Sequence, residues 1–281
     1  MELRIRDVFS PEIIRDSGQC FRVRTFPDGT FRFITGRHVL YLRPLGGGSL
    51  EVSCGPEEWD AVWAPYFSLD RDYRALCRAA CGRDAFIDAA MQAGEGLRLL
   101  RQDPWEMLIT FIISQRKSIP AIAGAVEKLA CRWGEPMETP RETVFTFPDA
   151  EELRAVTEEE LRACSLGYRA PYVLDAVRRA AGGELDLQAL RAADDACLLR
   201  ALQTVRGVGK KVAACVALFG YDRQDLAPVD VWIRRAMEEQ WGGGDPFGQY
   251  GEAAGLMQQY VFFYMRGRGR RKAVPAAATI V

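Results

Sequence analysis

The stretch 103–115, DPWEMLITFIISQ, limits the available architectures more than any other part of the chain. Asp103 can cap a helix, Pro104 suits its first position, and Glu106 stands three residues past the cap. Beyond that start the run is apolar on nearly every side. A helix without a polar face belongs at the centre of a core, so other elements must pack all round it. After about residue 56 the pattern is helical, and SIPAIAGAVEKLACRW, APYVLDAVRRAA, DDACLLRALQTV, KKVAACVALF, DVWIRRAMEEQW and GLMQQYVFFYMR read as those elements. Thr157 and Glu160 repeat the capping spacing ahead of LRAC. From Cys20 to Cys54 the period changes: FRVRTF, TFRFIT, HVLYLR and SLEVS alternate or are rich in β-formers, separated by PDG, Gly36-Arg37 and LGGG. That is strand-and-turn chemistry, with a short helix over PEIIRD before it. The expected fold is α+β. A small antiparallel β-rich N-terminal lobe with flanking helices (1–90) packs on a mainly α-helical body (91–265), and a basic C-terminal tail (266–281) opens with RGRGRRK.

An apolar content of 48% and a charged content of 27% suit a globular protein, and no apolar run approaches the roughly 20 residues of a membrane span. With no signal peptide visible, the eight scattered cysteines read as reduced thiols in an intracellular protein. There is no CxxC, and His38 is the single histidine, so neither a metal nor another cofactor is expected. Nothing points to an oligomer, and a monomer is expected.

Residues 205–220, VRGVGKKVAACVALFG, raise a question of charge. Lysine occurs only at 117, 128, 210, 211 and 272, and every other basic residue is arginine. Arginine serves any role that needs only positive charge, whereas lysine can lose a proton and act as an amine nucleophile. Gly207-Val208-Gly209 allows a tight turn between two helices, with backbone N–H groups at a helix N-terminus suited to a phosphate. Nineteen residues beyond Lys211, within PVDVW (228–232), Asp230 is placed to cap the next helix. An anchored carboxylate near an amine can also assist proton transfers.

GVGKKVAAC followed by PVDVW resembles the helix-hairpin-helix (HhH-GPD) DNA glycosylases, specifically their 8-oxoguanine DNA glycosylase branch. SGQCFR (17–22), YFSLDRDY (66–73), GLRLLRQDPWE (96–106), SLGYRAPYV (165–173) and GLMQQYVFF (255–263) extend the resemblance, in order, over nearly the whole chain. It implies a base-excision repair enzyme that flips 8-oxoguanine out of duplex DNA, since the target carbon is unreachable inside the stack. Lys211 matches the nucleophile that attacks C1′ and forms a Schiff base, whose β-elimination gives the family's lyase activity. That chemistry needs the amine uncharged for part of the time. Lys210 is expected to meet a phosphate or solvent. Asp230 matches the supporting carboxylate.

The resemblance assigns further residues. Gly18 matches the position whose carbonyl reads the lesion's N7 hydrogen; Cys215 and Phe262 match residues that sandwich the base, and Gln258 one that bonds its pairing edge. Phe219 occupies a pocket position often held by a more flexible residue. Tyr168 matches a wedge that fills the vacated space, and Arg169 a residue contacting the estranged cytosine. Gly207 and Gly209 belong to the DNA-gripping hairpin. Without the family, Gly18 reads as a turn glycine, Cys215 and Phe262 as core, and Gln258 as a solvated position. The segment SQRKSIPAI (114–122) departs from the pattern, with Arg116, Lys117 and Ser118 where the best-known members have asparagines, and Ala121 where they have an arginine. Trp232 stands where a phosphate-touching histidine is common. A relaxed preference for cytosine opposite the lesion is therefore expected, with Arg116 filling part of the gap. The implied partner is double-stranded DNA containing an oxidised purine; in a prokaryote the location would be cytoplasmic and nucleoid-associated. Two other readings are open: a glycosylase of the same superfamily for alkylated bases, and a non-catalytic DNA-binding module. The relatives with a four-cysteine cluster are set aside, since no cysteine follows Cys215.

Overall fold

The computed structural model describes residues 1–273, with 269–273 by backbone alone; 274–281, the end of the expected tail, lie outside the described residues. Strands β1 (Glu2–Arg4), β2 (Arg24–Thr25), β3 (Phe31–Thr35), β4 (His38–Gly46) and β5 (Ser49–Val52) form one antiparallel sheet in the order β1-β5-β4-β3-β2. Gly36-Arg37 closes the β3–β4 hairpin through the pair Thr35↔His38. Register sets Phe33 opposite Leu40 and Phe31 opposite Leu42, and Leu42 in turn opposite Val52. Side chains two apart share a face, so these residues make one apolar surface, covered by Ile14, Trp59, Trp63, Tyr66 and Phe67. Strand β1 was not foreseen; three residues with exposed Glu2 and Arg4 are too short to show alternation.

The α-helices of six residues or more are α1 (Pro11–Asp16), α2 (Tyr73–Ala80), α3 (Ala85–Ala93), α4 (Pro104–Ser114), α5 (Ile119–Trp133), α6 (Glu158–Ala163), α7 (Ala170–Ala181), α8 (Asp195–Leu202), α9 (Lys210–Tyr221), α10 (Val231–Trp241) and α11 (Ala254–Ala273). Helix α4 is central, as its sequence requires. Every residue from Met107 to Ile113 is buried, and α5, α7 and above all α9 surround it. The Asp103 carboxylate accepts the Glu106 N–H at 2.9 Å, and the full two-way capping box forms at Thr157 and Glu160. A small hairpin, β6 (Pro136–Glu138) with β7 (Thr143–Phe145), was also unforeseen. Helix α11 runs through Arg266 and Arg268, so the basic segment begins as helix. Among the described residues no helix is long and apolar enough to cross a membrane.

Arg98 ties the chain after α3 to the segments before α1 and α2. It is fully buried, donates to the carbonyls of Phe67, Val8, Ser68 and Arg71, pairs with Asp7 at 2.9 Å, and stacks 3.9 Å from the Tyr73 ring centre. A buried guanidinium is tolerable only when its donors are met in this way. The same seam sets the Gly18 turn. Buried Gln19 bonds the Arg98 carbonyl and the Leu100 N–H (both 2.8 Å), while Gln259 donates to the Ser17 carbonyl at 2.7 Å.

Candidate active site

Helix α8 leads into the turn at Gly207, whose φ of +80° is the left-handed conformation natural to glycine. A Cβ there would lie 2.4 Å from the Tyr172 ring, so the turn also needs a bare backbone for packing. Gly209 is the N-cap of α9, extended at φ −95° and ψ −177° and without a side-chain cap. Lys210 and Lys211 open that helix about 100° apart. Lys210 is exposed, whereas Lys211 is half-buried in the wall of a cavity, its Nζ 5.2 Å from the Phe111 ring centre. Phe111 stacks on Phe219 at 5.5 Å and 12°, and Phe21 meets Phe111 edge-on, giving this side an aromatic lining.

The cavity measures about 810 Å³ and lies between α4, α5, α9, α10, α11 and the Gly18 turn. Its volume falls in the range of about 300–1,000 Å³ usual for ligand sites. Asp230 lines it from the N-cap of α10, where its Oδ1 accepts the Ile233 N–H at 2.8 Å. Burial pushes this carboxyl above its ordinary value, opposed by the Ile233 N–H, Lys211, the Trp232 N–H and Arg266. Burial likewise pushes the Cys215 thiol up, opposed by neighbouring Lys211.

All five expected base-pocket residues, Gly18, Cys215, Phe219, Gln258 and Phe262, line this one cavity. Gln258 is not a solvated helix position: it is only 4% exposed, and its Oε1 is buried without a hydrogen-bond partner. A buried acceptor left unpaired is costly, so such an atom in a cavity wall points to a ligand that donates to it. Gly18 has φ +78° just past α1, and so is the turn glycine of the bland reading as well as a wall of the cavity. Added there, a Cβ would sit 2.9 Å from Phe262 Cε1. Gly18→Ala is expected to slow release of a damaged base by at least about tenfold, because crowding displaces the base from its slot. Strand cleavage at a preformed abasic site, which has no base to accommodate, should persist. Equal loss on both substrates would refute that separation.

Arg116 and Trp232 also line the cavity. Arg116 is exposed and held at φ +53°, a strained conformation for a residue with a side chain, costing about 1–3 kcal/mol. Lys117 and Lys128 both donate to Ser165, to its carbonyl and hydroxyl respectively. Five of the expected site residues lie outside the cavity: Gly207, Gly209, Lys210, Tyr168 and Arg169. Tyr168 is 46% exposed. Arg169 is buried, stacks on Tyr168, and gives its guanidinium to the carbonyls of Gln115 and Leu166. Sequence reasoning did not pick out Phe21, Phe111 or Gln259 as cavity residues; the two aromatics are indistinguishable from core in a sequence pattern.

Fold and site together are those of the helix-hairpin-helix class of base-excision proteins. Two family models agree: 8-oxoguanine DNA glycosylase, N-terminal domain, matches residues 2–108, and HhH-GPD superfamily base excision DNA repair protein matches 109–254. The chain belongs to the HhH-GPD superfamily, in its 8-oxoguanine DNA glycosylase branch. It is 32% identical over 215 residues to the "Probable N-glycosylase/DNA lyase" of Methanothermobacter thermautotrophicus, covering 66% of this chain and 69% of that protein. Among solved structures it is similar to MBOgg1 in complex with a low-affinity DNA ligand (TM-score 0.90, 34% identity, 95% of this chain and 96% of that one). It is also similar to the Clostridium acetobutylicum 8-oxoguanine glycosylase/lyase bound to double-stranded DNA with cytosine opposite 8-oxoG (TM-score 0.87, 31% identity, 96% and 98%).

Proposed function

We propose that this chain is a bifunctional DNA N-glycosylase and abasic-site lyase that excises 8-oxoguanine from duplex DNA in base excision repair, with Lys211 as nucleophile. One observation carries the reading. A half-buried amine and a helix-capping carboxylate share a cavity with the buried, unpartnered Oε1 of Gln258. A guanine-type base offers N1–H and an exocyclic amine to such an acceptor. In this reading the Lys211 amine bonds to C1′ as the glycosidic bond breaks and the base departs with its bonding electrons. Protons pass by way of Asp230: one leaves the attacking nitrogen, and the base acquires one. Opening of the sugar then gives the Schiff base, and loss of a proton from C2′ expels the 3′ phosphate. The turn Gly207–Gly209, the open N-terminus of α9 and exposed Lys210 suit the DNA backbone.

The charges disfavour an alkylated, cationic base. Arg116, Lys117, Lys211 and Arg266 line the cavity against Asp230 alone, so it is electropositive. Opposite the lesion, Arg116 replaces asparagine chemistry, and Arg169 must leave the Gln115 carbonyl before it can touch a base.

The test is borohydride trapping on duplexes with 8-oxoguanine opposite each of the four bases, beside undamaged guanine and an abasic site. A covalent adduct is expected on the lesion and the abasic site, and none on guanine. Cytosine is expected to be favoured, but less than in relatives bearing the asparagines; a strict cytosine requirement would contradict that part. Trapping on the abasic site but never on 8-oxoguanine would sink the lesion assignment.

A further inference from the structure

Helix α11 carries Gln258, Phe262 and Arg266 at i, i+4 and i+8, one stripe along its length, and all three line the cavity. The third has no part in the reading above. Its Nη1 donates to the Asp16 carbonyl at 2.9 Å, close before Gly18 in the chain. Its Cζ lies 5.3 Å from the Phe262 ring centre, and Nη1 is 3.2 Å from where a Cβ on Gly18 would stand. The guanidinium therefore touches both walls of the slot that Gly18 and Phe262 form. Its fixed planar fork suits such a double contact better than a lysine would. Arg268, two residues on, turns away to stack on Phe86 and Tyr264, so this placement is particular to 266 and not a property of the basic segment.

We propose that Arg266 is a positioning residue for the reaction at Lys211 and Asp230: it holds the spacing between the Gly18 turn and Phe262 and places a second cation, after Lys211, near the carboxylate. The inference rests on the glycosylase reading of this cavity. The groups around Asp230 are Lys211 and Cys215 from α9, the Trp232 and Ile233 N–H groups of its own helix, and Arg266 from α11. Burial pushes the carboxyl up and Arg266 draws it down. Removing that cation leaves burial less opposed, so Asp230 takes up its proton at higher pH, and a rate that needs the ionised form fails sooner on acidification.

The experiment compares the full-length wild type with Arg266→Gln and Arg266→Lys. It measures single-turnover release of 8-oxoguanine from neutral to acid pH, together with thermal melting. Arg266→Gln is expected to release the base about tenfold more slowly, with its acidic limb displaced to higher pH. Arg266→Lys keeps charge without the fork, and should keep the wild-type limb while remaining slow. A merely structural clamp would lower the melting temperature and leave the limb in place. Wild-type rate and limb in Arg266→Gln overturn the proposal, as does an equal displacement in Arg266→Lys. Should Arg266→Gln fail to fold, Arg266→Lys decides: slow release at the wild-type melting temperature supports the proposal, and wild-type release, or slow release with a lowered melting temperature, refutes it. Failure of the underlying reading looks different, since the wild type itself would then release no 8-oxoguanine at any pH.

Discussion

Lys211→Gln is expected to eliminate the borohydride-trapped adduct and to lower excision by about 10³-fold or more, the scale on which loss of a covalent nucleophile acts. An amide nitrogen has no available lone pair to bond with C1′, and the other lysine among the described lining residues, Lys117, is held by the Ser165 carbonyl. Lys210→Gln is the control, differing by one step along α9. Because Lys210 is exposed, its loss should leave the adduct intact, weaken DNA binding modestly and flatten the salt dependence by about one unit. Adduct formation surviving in Lys211→Gln but absent in Lys210→Gln would reverse the assignment. Neither change should disturb folding much. At Lys211 the interactions lost are those with Cys215 and Asp230 and the contact over Phe111, the last worth about 0.5–1 kcal/mol at an exposed site and more when desolvated.

Asp230→Asn should separate chemistry from structure. Asparagine caps a helix about as well as aspartate, so α10 keeps its start, whereas alanine would cost about 1 kcal/mol. The carboxylate is lost, however, and excision should fall by about 10²–10⁴-fold, the usual share of a positioned acid–base group. Stability should move the other way. Burial raises the folded carboxyl above its unfolded value, so the ionised form is disfavoured in the fold. The penalty is fully present above the folded value and vanishes below the unfolded one. Asp230→Asn is therefore expected to melt at or above wild type at neutral pH, with the difference shrinking on acidification. Calorimetry across that range checks it; an inactive variant that melts well below wild type at neutral pH would mean that the activity was lost through the structure and not through the missing carboxylate.

Much of the architecture was legible because each signal was local. The caps at Asp103, Thr157 and Asp230 form where the spacing put them, since a carboxylate or hydroxyl reaches an N–H three residues on whatever surrounds it. The apolar run of α4 demanded a central position, and strand alternation on β3 and β4 demanded one covered face. Strand β1 and the β6–β7 hairpin were invisible, because three residues cannot display a period. Lys211 and Asp230 were legible through the resemblance, and the residue types alone left capping and chance open. Arg266 had a readable signal, the four-residue step from Gln258 through Phe262, that composition disguised as the start of a charged tail.

The sequence alone decided where helices begin, which of them is enclosed, and that two adjacent lysines would face different ways on one helix. These follow from periodicity and capping, which act within a few residues. Only the folded chain decided that Gly18, Lys211, Asp230 and Gln258, drawn from across 241 positions, would open on one cavity. It alone left an amide oxygen buried there without a partner and turned Arg169 inward onto the Gln115 carbonyl. Such features depend on which distant backbone atoms arrive beside a side chain, and no pattern within a single element carries that information.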